Sequence, residues 1–337
     1  VYKRQISTCR DIADYERAGQ LTDATALWCQ RNSVTGFPGI CRVHRAELLR
    51  LRGSLRLAEK EALAAADDLA AHALGWTGAA LREVGDIRLR TGNLVGAEEA
   101  YRQDAELGID PEPGRSLLEL ARNQADSAAS SLLRALAGEA DKTRRAQLLA
   151  AQVEVALALK DIRTLRSTSE ELVGIAATYG QPALLALAST ASGALRLVTG
   201  EPAPAIDALR RAIDLWTAIE APYEAARARD LMARALWLSG DKASADFERG
   251  VAADSLRRLG AQLPGPPERR APARLTDREL EVAGLVAAGL TNKEIAQQLA
   301  IKLRTAEYHV EQIRNKLGFT SRVQIATWHG TSAGSSR

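Results

Sequence analysis

Over roughly the first 260 residues the apolar positions recur at spacings of three and four, and alternating β-branched runs are nearly absent. With abundant Ala, Leu, Arg and Glu, that period predicts amphipathic helices and no sheet. A longer repeat lies over it: a turn residue followed five positions later by a small or apolar residue. It occurs at Gly19/Ala24, Gly53/Ala58, Gly92/Ala97, Asn123/Ala128, Lys160/Leu165, Gly200/Ala205 and Gly240/Ala245. Successive turns are 34, 39, 31, 37, 40 and 40 residues apart, the period of helical hairpins stacked side by side. Gly at the turn supplies positive φ, and the small residue five positions on lets the second helix approach the first closely. The expectation is up to seven antiparallel helix pairs, with Trp28, Tyr101, Trp216 and Trp237 in the core. Breaks in the pattern at Gly108 to Pro113 and Gly180 to Pro182 predict longer connections between pairs.

The segment Arg90-Thr91-Gly92-Asn93-Leu94-Val95-Gly96-Ala97-Glu98-Glu99-Ala100-Tyr101 resembles the inter-helix turn of tetratricopeptide repeats. The resemblance implies a superhelix over residues 1–262 whose concave side suits a protein partner, a peptide or a small ligand. Four prolines between Leu263 and Pro272 cannot continue a helix, so residues 263–274 read as a semi-stiff linker, with Arg269, Arg270 and Arg274 available to solvent or to phosphate.

Beyond the linker the pattern becomes compact. Thr276 followed by Glu279 is a capping box, Val282, Leu285 and Val286 form an inward stripe, and Gly289 ends the helix. Thr291 and Glu294 form a second box, opening a short helix that buries Ile295, Ala296 and Leu299. After a turn at 300–302, a third helix buries Ala306, Val310, Ile313 and Leu317. It turns Arg304, Glu307, Tyr308, Glu311, Arg314 and Asn315 outward. Gly318 stops it, and Ser321 begins a fourth helix carrying Val323, Ala326 and Trp328. Two short helices joined by a tight turn, the second amphipathic, make a helix-turn-helix at 291–310 inside a domain at 275–330. The segment 331–337 is expected to be a disordered tail.

Four motifs sharpen that reading: Leu-Thr-x-Arg-Glu-x-Glu-Val at 275–282, Gly-Leu-Thr-Asn-Lys-Glu-Ile-Ala at 289–296, Thr-x-x-x-His-Val at 305–310, and Lys-Leu-Gly-Phe-Thr-Ser-Arg at 316–322. Together they resemble the DNA-binding domain of the LuxR/NarL family, and tetratricopeptide-like regions precede that domain in many large regulators of this type. The resemblance implies a sequence-specific regulator of transcription whose third helix, about 303–317, enters the major groove of double-stranded DNA. It implies base-facing roles for Glu307, Tyr308 and Glu311, and phosphate-contacting or bracing roles for Thr305, His309, Lys316 and Arg322. Asn292 and Lys293 lie near the DNA backbone, with Lys302 and Arg304 at the start of the reading helix. It also implies a homodimer on DNA, with Val323, Gln324 and Thr327 of the fourth helix as candidate contacts. Three positions depart from the family: Lys302 stands where a capping Ser is usual, Ala306 where Val is usual, and Glu307 where a basic reader is usual. Loss of an oxygen-bearing cap costs about 1 kcal/mol, so the start of this helix is expected either to fray or to shift later, with Thr305 as an alternative cap. The alternative reading is a helical-repeat interaction scaffold with a degenerate helix-turn-helix; Lys302, Glu307 and Glu311 favour it.

Charge changes this picture only locally. The chain has 45 Lys and Arg against 42 Asp and Glu, net +3, which does not mark a nucleic-acid binder. From Lys302 to Arg322, however, five basic residues face two acidic ones, so the footprint is confined to the third helix and its flanks. Cys9, Cys29 and Cys41 have no thiol partner nearby in sequence, and Cys41 with His44 lacks a second metal-ligating pair, so reduced thiols and no metal are expected. No phosphate-binding loop, His-Glu-x-x-His or Gly-x-Ser-x-Gly is present, which points away from an enzyme and from any cofactor. Without a leader or a spanning segment the expected location is the cytoplasm. The start at Val1, with Met232 the only methionine, suggests a piece of a longer protein.

Overall fold

The computed structural model describes residues 14–31, 39–71, 73–263, 277–299 and 303–317, with positions 9, 301, 322, 324 and 325. The chain divides into two compact units, Val1–Gly265 and Pro266–Arg337. All elements in the described residues are helical.

The first unit opens with α1 (Tyr15–Arg31). Six antiparallel pairs follow: α2 (Gly39–Leu51) with α3 (Leu55–Leu69), α4 (Leu74–Arg90) with α5 (Leu94–Glu106), and α6 (Gly114–Ala121) with α7 (Ala125–Gly138). The remaining three are α8 (Lys142–Leu159) with α9 (Ile162–Tyr179), α10 (Pro182–Val198) with α11 (Pro202–Ala218), and α12 (Pro222–Ser239) with α13 (Lys242–Leu259). Six of the seven turns read from the sequence lie between the partners of a pair. Gly53, Gly92, Asn123, Lys160, Gly200 and Gly240 all have positive φ, between 57° and 92°. The residue five positions on, Ala58, Ala97, Ala128, Leu165, Ala205 or Ala245, is in every case fully buried. At three turns the residue after the left-handed one caps the second helix: Asn93, Asp161 and Asp241 accept from the backbone N–H groups of Gly96, Thr164 and Ser244. Those bonds hold the Asp161 and Asp241 carboxyls below the usual range.

The seventh turn is a correction. Gly19 and Ala24 both lie inside α1; the local pattern matched, but nothing interrupts the helical period there. Of the connections at the two breaks, the first is long as expected and the second is not. Residues 107–113 form a seven-residue link between α5 and α6, whereas Gly180 and Gln181 alone join α9 to α10. Gly180 takes the left-handed cap and Pro182 opens the next helix, which makes a tight link. Of the four aromatic residues read as core, Tyr101 and Trp216 are buried, but Trp28 and Trp237 are about half exposed. Lys242 Nζ sits 5.1 Å above the Trp237 ring, so that indole is covered by a cation rather than by packing. Cys41 and His44 are both buried on α2, with His44 edge-on to Trp76 at 5.3 Å; their spacing serves packing.

The pairs are layered. Each first helix (α2, α4, α6, α8, α10, α12) touches the first helix of the next pair, while the second helices form an outer layer. The largest core cluster runs from Leu120 to Ala235 through the later pairs. The array then meets its own beginning. Arg90, at the end of α4, pairs with Glu224 of α12 at 2.8 Å and lies 4.2 Å above the Tyr223 ring. The Gln262 backbone N–H donates to the Arg90 carbonyl at 2.7 Å, its side-chain amide donates to the Thr91 carbonyl, and Tyr223 Oη donates to the Gln262 carbonyl. Arg52 reaches Glu220 at 3.3 Å. The last pair is thereby fastened to the first two.

Candidate nucleic-acid interface

Three helices build the second unit: α14 (Asp277–Ala287), α15 (Asn292–Gln298) and α16 (Leu303–Leu317). Local chemistry sets their ends. Gly289 takes φ +86° after α14, a conformation that carries little cost only without a Cβ. Thr291 then caps α15 in the expected reciprocal box: Glu294 accepts from the Thr291 backbone N–H at 2.6 Å, and the Glu294 N–H donates to Thr291 Oγ1. The Thr291 backbone N–H and, after it, the Thr291 hydroxyl, which donates at 2.7 Å, hold the Glu294 carboxyl below its usual range. Thr276 of the first expected box lies outside the described residues, and its intended partner Glu279 is buried. Arg278 donates to the Leu299 carbonyl at 2.9 Å and pairs with Glu281, tying the start of α14 to the end of α15.

The core of this unit comprises Val282, Ala283 and Val286 from α14, Ile295 and Ala296 from α15, Ala306, Val310 and Ile313 from α16, and Ile325. Leu285, Leu290, Leu299 and Ile301 pack around it. Ala306, Val310 and Ile313 lie on one stripe of α16, which burial locks against its neighbours. The opposite face is open: Arg304, Glu307, Tyr308 and Glu311 are exposed, Tyr308 at 59%. Offsets of 0, 3, 4 and 7 bring those four side chains onto one face over two turns. Thr305 and His309 flank it, half-buried. Lys293 is exposed at the start of α15.

Some expected residues are occupied differently. Arg322 donates through Nη1 to Asn292 Oδ1 at 2.6 Å and through Nη2 to the Leu290 carbonyl. The pair ties the segment after α16 to the start of α15, and sequence reading had not linked the two. Helix α16 begins at Leu303, two residues ahead of Thr305, so Thr305 is not its cap. Lys302 lies outside the described residues, as does the side chain of Lys316. Of the expected fourth helix, Arg322, Gln324 and Ile325 are helical, with Ile325 fully buried. Val323, Ala326, Thr327 and Trp328 fall outside the described residues, as do 264–276 and 331–337. Ile325 and Ala283 are the core positions missed from sequence; each lies next to an apolar residue that fitted the assumed register equally well.

A rigid amphipathic helix with a polar outer face, preceded by a short capped helix, has the dimensions to enter a groove about 12 Å wide. Its exposed carboxylates can accept from cytosine amines, and Arg304 can donate to guanine or phosphate. Among the described residues no group of acidic, His or Cys side chains is arranged to hold a metal. None of the described helices is long and apolar enough to cross a membrane.

Comparison with known proteins agrees with this geometry. Residues 273–329 match the family described as bacterial regulatory proteins, luxR family. The chain is 44% identical over 54 residues to the transcriptional regulatory protein LiaR of Bacillus subtilis, covering 16% of this chain and 26% of that protein. It is 38% identical over 71 residues to the DNA-binding transcriptional activator DevR/DosR of Mycobacterium tuberculosis, covering 21% and 33%. The similar stretch is 10% of a much longer Mycobacterium bovis protein named as an HTH-type transcriptional regulator, to which it is 39% identical over 88 residues. The similarity thus spans a third or less of each of these relatives. Residues 273–329 of this chain are a LuxR-family helix-turn-helix DNA-binding domain, carried behind a region of sequential antiparallel helix pairs.

Proposed function

We propose that the chain is a sequence-specific regulator of transcription that reads duplex DNA with α16 in the major groove, as a homodimer, and receives a partner or signal through its helix pairs. The observation that carries this reading is the two-sidedness of α16: Ala306, Val310 and Ile313 are buried while Arg304, Glu307, Tyr308 and Glu311 stand exposed on the other side. Base recognition is assigned to Glu307, Tyr308 and Glu311. Backbone contact is assigned to Lys293, Lys302, Arg304, Thr305, His309 and Lys316, and bracing to Asn292 with Arg322. The two exposed carboxylates weaken attraction to phosphate, so one domain alone binds weakly; two tethered copies on paired half-sites recover affinity.

Selecting genomic fragments with the purified chain, then titrating the recovered sequence under increasing salt, tests the proposal. The expected result is enrichment of a paired motif and an affinity that falls steeply with salt. The same observation that two acids stand on the reading face supports the rival, a protein-docking array with a degenerate helix-turn-helix. That rival takes over if no motif is enriched and Tyr308→Ala leaves DNA affinity unchanged at low salt.

A further inference from the structure

The first helices of the six pairs, with Tyr15 of α1, surround a cavity of about 550 Å³ whose wall pairs charges internally, Arg50 with Glu83 and Arg227 with Glu154 and Glu224. The outer layer differs at its last member. Helices α3, α5, α7, α9 and α11 each lie against their own partner and against the first helix of the next pair, whereas α13 has no next pair and packs along its length on α12. Of its 18 residues only Ala245 and Ala252 are buried. Phe247, on its outer side, is 68% exposed.

That open side carries a regular pattern. Ala243, Asp246, Gly250, Ala253, Arg257 and, just past the helix, Gly260 are all exposed. Their spacings of 3, 4, 3, 4 and 3 place them on one straight seam, the spacing at which two helices lie side by side in a coiled coil. The seam is also complementary to itself. In an antiparallel pair centred between Val251 and Ala252, Ala243 faces Gly260 of the second copy, Asp246 faces Arg257, and Gly250 faces Ala253. Two opposite-charge pairs form, whereas a parallel pair in register would set Asp246 on Asp246 and Arg257 on Arg257. Within one chain these two charges are held only by exposed neighbours, Asp246 by Arg249 at 2.9 Å and Arg257 by Asp254 at 2.7 Å, and exposed pairs exchange partners at little cost. Gly250 points the same way. Glycine inside a helix is unfavourable, and the array does not require it here, since a Cβ would meet nothing within 4 Å; small residues on a seam let a second helix approach closely.

We propose that α13 is the face through which two copies of this chain associate, antiparallel and about a two-fold axis between residues 251 and 252. A two-fold contact needs a patch that fits itself, and this seam does so in charge and in size, with Phe247 at its edge covered by the second copy. The inference rests on the homodimer reading and deepens it. The contact lies in the helix-pair unit, apart from Val323, Gln324 and Thr327 of the DNA-binding domain, and forms without DNA.

Sedimentation velocity of the full chain without DNA, at about 1 to 100 μM, tests it. The expected result is a monomer–dimer equilibrium. Asp246→Arg and Arg257→Asp each set two like-charge pairs on the seam and are expected to weaken association ten-fold or more. An equimolar mixture of the two variants is expected to recover it, because the mixed dimer again has opposite charges at both places. Gly250→Leu is expected to weaken association ten-fold or more while the melting temperature holds or rises, since the space beside Gly250 is open in its own chain. Arg211→Asp, at an exposed position of α11, is expected to leave association unchanged. The inference is overturned if the chain is monomeric throughout this range, if the three seam variants associate as the parent does, or if the mixture fails to recover what the single variants lose. Sedimentation with the selected DNA fragment separates the two readings. A chain monomeric alone and dimeric on DNA overturns this contact and leaves the homodimer reading standing, whereas one copy per fragment in every case removes both.

Discussion

Lys160 shows how much of this fold depends on single backbone positions. It closes α8 with φ +57°, where a side chain costs about 1–2 kcal/mol relative to glycine. Lys160→Gly is therefore expected to raise stability by about 0.5–1 kcal/mol after the larger entropy of the unfolded glycine is subtracted, read as a higher urea midpoint. Gly92 is the opposite case. It has φ +79°, and a Cβ there would lie 1.8 Å from Gln262 Nε2. Gly92→Ala is expected to lose at least about 1 kcal/mol, and more if Gln262 cannot move aside. On the DNA-binding domain, exposed side chains divide by what they would read. Lys293→Ala is expected to weaken all DNA sequences alike and to reduce the salt slope by about 1. Tyr308→Ala is expected to flatten the preference among sequences with the slope unchanged, measured by fluorescence anisotropy over a salt series.

Elements are positioned by fewer residues than their length suggests. Helix α16 is held by Ala306, Val310 and Ile313, so Ile313→Ala is expected to cost about 2–5 kcal/mol and to abolish DNA binding with every exposed residue intact. Circular dichroism melts alongside binding separate this from the loss of a contact. Between α4 and α12, burial alone would raise Glu224, but Arg227, Arg90 and Arg50 outweigh it and hold the carboxyl below its usual range. A lowered carboxyl contributes stability that is present above the unfolded value, about pH 4.3, and disappears as pH falls through the folded one. The caps Asp161 and Asp241 act in the same sense, and Glu154, raised by burial, in the opposite one. The melting temperature is expected to fall between pH 5 and pH 3, and Glu224→Gln to make that fall shallower. The helix pairs were legible because a left-handed turn and a buried small residue five positions on leave marks close together in sequence. The capping box at Thr291 and the stripe of α16 were legible for the same reason. Gly19 carried the local mark without the turn. Trp237 carried the apolarity of a core residue but lies at the outer end of α12, beneath Lys242. The Arg322 bond to Asn292 and the Arg90 pair with Glu224 join residues 30 and 134 positions apart, and periodicity holds no record of contacts at that range.

At the scale of the whole helix-pair unit, the cavity and the fastening at Arg90, Tyr223, Glu224 and Gln262 are two aspects of one arrangement. The first helices curve until the sixth pair meets the first two, and the enclosed charges become neighbours because the curve closes. The contact with Gln262 has a further consequence. An open stack of repeats has two terminal units, each supported on one side only, and it melts inward from them. A stack fastened end to end has no terminal unit. Amide exchange should accordingly find α2 and α12 protected as strongly as α8 in the middle, with the whole set opening in one step. Weakening the fastening with Arg52→Ala, Tyr223→Phe and Glu224→Gln together, which removes both ion pairs and the Tyr223 hydroxyl bond, should restore two loose ends, seen as early exchange confined to α2, α12 and α13. If those helices already exchange early in the parent chain, the ring does not govern how this unit comes apart.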